Sequence, residues 1–345
     1  MTKNKYMVSV ILPSAHNFID IEKCIYALLG QTYTPSEIII IDSFVLGGYD
    51  KKQLQAMCQS KCPLHIISHS ETLNPGAARN IGVEKASGDF IAFIDIMTIP
   101  RINWLSDYLK QINTGEMVDI IWGSTVYDVN NSGLMSYVRD SIYGVNPIKT
   151  LPGSIIRKNV FHKVGQFLEN VRTGEDSEWM NRTIYLDLVS IDSDVVAADY
   201  YGLLRLNFKK LVKKWLVSYR SSGGLEYYKW QRQLAIFIAL PYFIFVAYNW
   251  NWLATEWQVN SFLYIPHITK IVIIIPLLIY FFYRGIFLPR NKGLKLFPSI
   301  LPLRFLMLFF VGVVLDMVKF YAFMTINKKY RSNSNKRDWT KAKFP

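Results

Sequence analysis

The sequence predicts an α/β fold with a mainly parallel sheet, followed by helices that work at a membrane. Three observations carry this. Short Ile/Val-rich runs alternate with helix-period stretches through the first 100 residues. The polar residues suited to chemistry fall just after those runs. Composition and charge then change together near residue 201. In residues 1–200, 17 Lys/Arg stand against 22 Asp/Glu, and in 201–345 the balance is 22 against 4. The net +13 therefore belongs to the C-terminal part, where the long apolar runs also lie. Basic residues flanking apolar segments point to an anionic membrane surface and away from nucleic acid. A composition 51% hydrophobic and 19% charged excludes a disordered chain.

Strands are expected at Val8–Leu12, Glu37–Asp42, Leu64–Ser68 and Phe90–Asp95, with helices at Ile21–Leu29, Lys51–Gln59 and Gly76–Ser87. Val8–Leu12 is too short for a signal sequence and Pro13 ends it, so it reads as a strand. Alternation of this kind implies right-handed crossovers and a parallel sheet covered on both faces. Such sheets bind ligands beyond the carboxyl ends of their strands, where Ser14, Asp42 and Asp95 stand. A mixed region follows from Val118 to Asp199, with a helix over Ser177–Leu186. Cys24, Cys58 and Cys62 form no CxxC pair, which fits a reducing compartment. The five histidines lack metal-ligand spacing, and Gly47-Gly48 has no Lys-Ser/Thr partner that would make it a phosphate cradle.

The expected domains are 1–200, then 201–232 as basic amphipathic helices, 233–326 as membrane segments and 327–345 as a basic tail. In Gly202–Arg220, Leu204, Phe208, Leu211, Val212, Trp215 and Tyr219 recur at helical spacing around Lys209, Lys210, Lys213 and Lys214. That pattern suits an in-plane interfacial helix, or else a solvated helix packed on its neighbours. Leu234–Leu253 and Ile268–Leu288 are each long enough to cross the hydrocarbon core, and their connection Ala254–His267 has no Lys or Arg. The positive-inside rule makes them a hairpin with both ends cytoplasmic, placing the first domain on the cytoplasmic face of the plasma membrane. Leu301–Met324 contains Arg304, Asp316 and Lys319. Its expected placement is re-entrant or along the cytoplasmic face, with a third span as the alternative. Asp316 and Lys319, three apart, are expected to pair.

Several motifs occur in order: Val8-Ser-Val-Ile-Leu-Pro13-Ser14, Gln31-Thr-Tyr33, Glu37-Ile-Ile-Ile-Ile-Asp42, Gly76-Ala-Ala-Arg79-Asn80-Ile-Gly82, Gly88-Asp-Phe-Ile-Ala-Phe-Ile-Asp95, Val164-Gly165-Gln166-Phe167 and Gly174-Glu175-Asp176. From about residue 7 to 185 this series resembles the family 2 glycosyltransferases. The resemblance implies a GT-A fold, a nucleotide-sugar site at the strand ends and inverting transfer. It makes Asp176 the catalytic base, which removes a proton from the acceptor opposite the nucleotide. It assigns Ser14, Asp42, Arg79, Asp95 and Glu175 to nucleotide-sugar binding, and Asp95 to an Mg²⁺ or Mn²⁺ on the diphosphate.

Three positions depart from the family pattern. Ala15 stands where the usual Pro-Thr-Tyr-Asn has Tyr, and Ser43 replaces a second Asp after strand two. Asp-x-Asp reads Asp95-Ile96-Met97, and a thioether is a poor ligand for hard cations. Either one carboxylate and the diphosphate suffice for the metal, or a cation such as Arg79 or Arg172 replaces it, or the site is inactive. A base motif favours a hydroxyl acceptor, because a polyprenyl phosphate is already ionised. The resulting expectation is a membrane-anchored inverting enzyme that moves one sugar from a nucleotide-sugar to a lipid-linked saccharide in cell-surface polysaccharide synthesis. The alternatives are a polyprenyl-phosphate sugar synthase and a non-catalytic glycosyltransferase-like subunit.

Overall fold

The computed structural model describes residues 6–43, 45–59, 61–112, 117–127, 134–225, 228–234, 237–238, 240–248, 268–295 and 302–326. The chain forms two compact units. One takes residues up to 131 together with 146–207, and the other takes 132–145 and 208–326.

The first unit is built on β1 (Val8–Ser14), β2 (Glu37–Asp42), β3 (Leu64–Ser68), β4 (Phe90–Phe93), β5 (Thr98–Pro100), β6 (Ile120–Tyr127), β7 (Ile148–Arg157), β8 (Ser190–Asp192) and β9 (Ala198–Tyr200). Its sheet runs β3-β2-β1-β4-β7-β6-β9-β5, with β8 also beside β6. β3, β2, β1 and β4 are parallel, and β7 joins β4 antiparallel. The alternating pleat explains why the strands are apolar on both sides. Val8, Val10, Leu12, Ile38, Ile40, Phe90 and Ala92 pack into one core, which includes Ile25 and Leu28 of α1 (Phe18–Leu29) and Leu54 of α2 (Gly48–Cys58). Ile11, Ile39, Ile41, Ile91 and Phe93 face the other core, formed with α3 (Pro75–Lys85). α4 (Trp104–Ile112) joins the first core; α6 (Val160–Val164) and α7 (Glu175–Thr183) join the second. Helix α5 (Leu134–Tyr143) lies between β6 and β7 in sequence but belongs to the second unit.

Register lines up the polar strand ends. Ser14 pairs with Asp42, and Asp42 with Ser68, in one row across β1, β2 and β3. At the opposite end of the sheet, Ser9 donates to Glu37 Oε1 at 2.6 Å, and Ser87 donates to the same oxygen through N at 2.6 Å and Oγ at 2.8 Å. His65 Nε2 lies 3.4 Å from Glu37 Oε2.

The second unit contains α5 and α8 (Phe208–Ser222), α9 (Lys229–Leu234), α10 (Leu240–Tyr248), α11 (Ile268–Phe282) and α12 (Pro302–Met324). A π turn, Tyr283–Phe287, extends α11 into a last helical turn, Leu288–Asn291. The loop of the expected hairpin, Ala254–His267, and the basic tail after 326 lie outside the described residues. The 22 residues Leu303–Met324 are long and apolar enough to cross a membrane.

Part of the apolar stripe of α8 faces inward, and one sequence expectation, the pairing of Asp316 with Lys319, is corrected. Tyr219 packs edge-on against Phe323 of α12 at 5.7 Å between ring centroids, and Leu211 is buried. Asp316 does not pair with Lys319. It accepts from Tyr280 Oη at 2.6 Å and Arg284 Nε at 2.7 Å, because the π turn brings Arg284 against α12 at Gly312. Lys319 instead donates to Gln231 Oε1 at 2.7 Å and lies 4.8 Å from the Tyr219 ring centroid.

Burial opposes the charge on Glu37, but hydrogen bonds from Ser9 and Ser87 and the nearby His65 outweigh it and lower its pKa. A lowered carboxyl pKa stabilises the fold above the unfolded Glu value, and that stability is lost as pH falls through the folded value. Glu37→Gln should therefore flatten the acid limb of a melting-temperature profile below about pH 4.5. An unchanged acid limb would contradict this.

Candidate active site

The site is organised by a buried arginine. Arg79 on α3 is 2% exposed. Its Nη1 donates to Glu175 Oε1 at 2.6 Å and its Nη2 to Asp95 Oδ1 at 3.0 Å, and its guanidinium lies 5.8 Å from the Phe167 ring centroid. Burial opposes its charge, but Asp95, Glu175 and Asp176 outweigh that and raise its pKa. One guanidinium among three carboxylates leaves negative charge in excess. Burial first, then Asp176, push the Glu175 carboxyl up to about 7, against the pull of Arg79.

Local sequence explains how these side chains meet. A Cβ at Gly76 would lie 2.1 Å from the Leu168 carbonyl oxygen, so only glycine lets α3 start this close to that chain segment. One turn on, Asn80 accepts from Phe167 N at 2.8 Å and donates to Phe167 O and Glu169 Oε1, both at 3.0 Å. α7 grips the same segment from the other side. Trp179 Nε1 donates to Gly165 O at 2.9 Å, and Arg182 donates to Val164 O at 2.8 Å and Gln166 O at 2.7 Å. Gly174, at φ 87°, makes the left-handed turn that starts α7 at Glu175. Three motifs far apart in sequence thus form one contact surface.

The expected site residues fall into two groups. Asp176 and Asp95 are partly exposed, with the Asp95 side chain at 40%. Asp176, in the first turn of α7, accepts from Ser177 N at 2.7 Å and sits where amide dipoles favour a carboxylate. Ser14, Asp42, Arg79 and Glu175 are buried. Asp42 is held by Val45 N at 3.0 Å, Leu46 N at 3.3 Å, Ser68 Oγ at 3.0 Å and Lys51 Nζ at 3.8 Å. It fastens the turn after β2. Ser14 Oγ accepts from His16 N at 3.3 Å. Arg79 and Glu175, expected as donor contacts, are hydrogen-bonded to each other, and Arg79 also holds Asp95.

Sequence reasoning missed Tyr127, at the end of β6. Its hydroxyl is pushed up to about 12 by burial, then by Tyr200, Asp176 and Asp95. It therefore lies in the field of both partly exposed carboxylates, with its ring 5.5 Å from that of Tyr200. No motif marks it, because long-range pairing of β6 with β9 puts it there.

The donor set does not fit a divalent ion held by the protein. Asp95, expected as its ligand, already accepts from Arg79, and position 97 supplies a thioether. Met97 also has φ 71°, a left-handed conformation rare for its type, fixed by Thr98 N donating to Asp95 O and Tyr201 N to Met97 O, both at 3.0 Å.

Residues 9–170 match the family model for glycosyl transferase family 2. This stretch is a family 2 glycosyltransferase domain. Its mixed sheet with helices on both faces is GT-A-like. Among curated relatives, glycosyltransferase AglE of Haloferax volcanii is 30% identical over 193 residues, 53% of this chain and 62% of that protein. The pre-mycofactocin glycosyltransferase of Mycobacterium tuberculosis is 24% identical over 190 residues, 51% of this chain and 39% of that protein. The chain thus spans less than two thirds of either relative. The solved structure of mannosyltransferase PcManGT from Pyrobaculum calidifontis, in complex with GDP-Man and Mn²⁺, is similar over 62% of each chain, at 16% identity and a TM-score of 0.48.

Arg79→Ala strands the buried Glu175 carboxylate and should destabilise the glycosyltransferase domain by about 3–5 kcal/mol, read from denaturant melts; a loss below 1 kcal/mol would contradict the clamp. Met97→Asp adds a second oxygen ligand in a conformation that Asp tolerates better than Met. The variant should bind Mn²⁺ alone in calorimetric titration more tightly than the parent, whereas equal binding would contradict the donor-set argument.

Proposed function

We propose that the chain is a membrane-anchored inverting glycosyltransferase, which transfers one sugar from a nucleotide-sugar to a hydroxyl of a lipid-linked saccharide in cell-surface polysaccharide synthesis. The observation that carries the reading is the partly open Asp176 beside the clamp that a buried Arg79 makes with buried Glu175 and partly exposed Asp95. Arg79 holds Glu175, so one carboxylate of the Glu175-Asp176 pair is left for proton transfer. In this reading Asp176 takes the proton of the acceptor hydroxyl as its oxygen attacks the anomeric carbon, and the bond to the nucleoside diphosphate breaks on the opposite face. Asp95 is on the donor side in this reading, and the Tyr127 hydroxyl lies in the field of both carboxylates. Ser14 and Asp42 shape the nucleotide end of the site from within the row across β1, β2 and β3.

The apolar helix Leu303–Met324 and the excess of 22 basic over 4 acidic residues after position 200 support work at an anionic membrane surface. That sign of charge asymmetry suits the cytoplasmic face of the plasma membrane. A hydroxyl acceptor follows from the base, since an ionised phosphate needs none. A second reading, a non-catalytic glycosyltransferase-like subunit, is favoured by Met97 and by the burial of Arg79 and Glu175.

Membranes containing the chain should transfer radiolabelled sugar from a nucleotide-sugar to an endogenous lipid-linked acceptor. Asp176→Asn should lower the rate about 10²–10⁴-fold. Equal transfer by the variant would remove Asp176 as the base. An acid-labile polyprenyl-phosphate sugar as product would replace the hydroxyl acceptor, and no donor binding in calorimetry would favour the non-catalytic reading.

A further inference from the structure

Resting on the reading that this chain works at a membrane, we propose that α12 lies in the membrane plane, on one leaflet of an anionic bilayer, and does not cross it. Length and composition permit a span, but the surroundings of α12 within its unit oppose one.

The surface of α12 is divided. Leu303, Leu306, Phe310, Met317, Tyr321 and Met324 are exposed. At 3.6 residues per turn they fall within about 60° of the helix circumference. Leu308, Leu315 and Ala322 are buried on the other side. The three charged residues of the helix all make contacts inside the unit. Arg304 lies 5.0 Å from the Tyr137 ring centroid, Asp316 pairs with Arg284, and Lys319 donates to Gln231. The exposed stripe carries no charge.

A span and an in-plane helix would both show such a stripe, so the covering elements decide between them. At its N-terminal end α12 touches Tyr137 of α5, through Arg304. At its C-terminal end it touches α8: Tyr219 meets Phe323, Arg220 Nε donates to Thr325 Oγ1 at 3.0 Å, and Arg220 lies 5.2 Å from the Tyr321 ring centroid. α5 and α8 in turn meet where Lys214 lies 5.3 Å from the Tyr143 ring centroid. A continuous protein path, α5 then α8, therefore connects the two ends of α12. If α12 crossed the bilayer, that path would cross beside it. It carries exposed Lys209, Lys210 and Lys213, together with Asp140 and Lys214, into a region where charges are strongly disfavoured. With α12 in the plane the same lysines stay at headgroup depth, where an anionic surface attracts them. The apolar stripe then dips about 5–10 Å into the boundary of the acyl chains. Exposed Ile275, Leu278, Ile279 and Phe282 of α11 continue the apolar surface of the unit.

The test places single cysteines on either side of α12, Asn291→Cys and Thr325→Cys, in the full chain. Sealed right-side-out and inside-out vesicles are then treated with a membrane-impermeant maleimide. Cys24, Cys58 and Cys62 are buried, and the parent chain measures their background. Both cysteines should label in the same vesicle orientation, whereas labelling in opposite orientations would overturn the proposal. Met324→Cys replaces Thr325→Cys if losing the Arg220 contact impairs folding. A nitroxide on Phe310→Cys should report a depth of about 5–10 Å below the phosphates; a reading near the bilayer centre, about 15 Å deep, would also overturn it. Failure of the full chain to float with anionic phospholipid vesicles would instead overturn the membrane reading itself, a result distinct from opposite-side labelling.

Discussion

A guanidinium enclosed by protein must be surrounded by carboxylates, and this constraint on Arg79 shapes the glycosyltransferase domain. Desolvating an unpaired charge costs far more than a domain's net stability can absorb, so Glu175 and Asp95 have to meet it with good geometry. Meeting it fixes α3 against the chain at Leu168, which is why Gly76 has no side chain. It also fixes the start of α7, which Trp179 and Arg182 lock onto residues 164–166. Asp176 inherits its position from these contacts.

This explains why the ordered motifs are informative as a set. Gly76 to Asn80, Val164 to Phe167 and Gly174 to Asp176 are one packed surface written in three places along the chain. A substitution in any of them disturbs the other two, so coupling between them is expected to be non-additive.

Much of the first unit was legible in the sequence. β2 begins and ends where its Ile-rich run does, because a strand covered on both faces must be apolar throughout, and the edge strand β3 keeps the bounds of its shorter run. The chemical roles were less legible. Asp42, Arg79 and Glu175 bear the residue types of a donor site, and their burial and hydrogen bonds to Val45, Glu175 and Asp95 are features that no linear pattern announces. Nothing in a linear pattern separates a carboxylate that faces substrate from one that faces an arginine. Tyr127 was invisible for the opposite reason, since only the pairing of β6 with β9 brings it near Asp95 and Asp176. In the second unit, helical spacing identified the apolar stripe of α8 but not its neighbour. The partner of Asp316 comes from a π turn that no propensity signals.

The account turns on a single displacement assisted by Asp176. The most direct measurement is the configuration at the anomeric carbon of the first-formed product, read by proton NMR with a donor of known configuration. The account predicts inversion, an α-linked nucleotide-sugar giving a β-linked product. Retention of the donor's configuration would contradict it, because retention needs a second step that an isolated base does not provide.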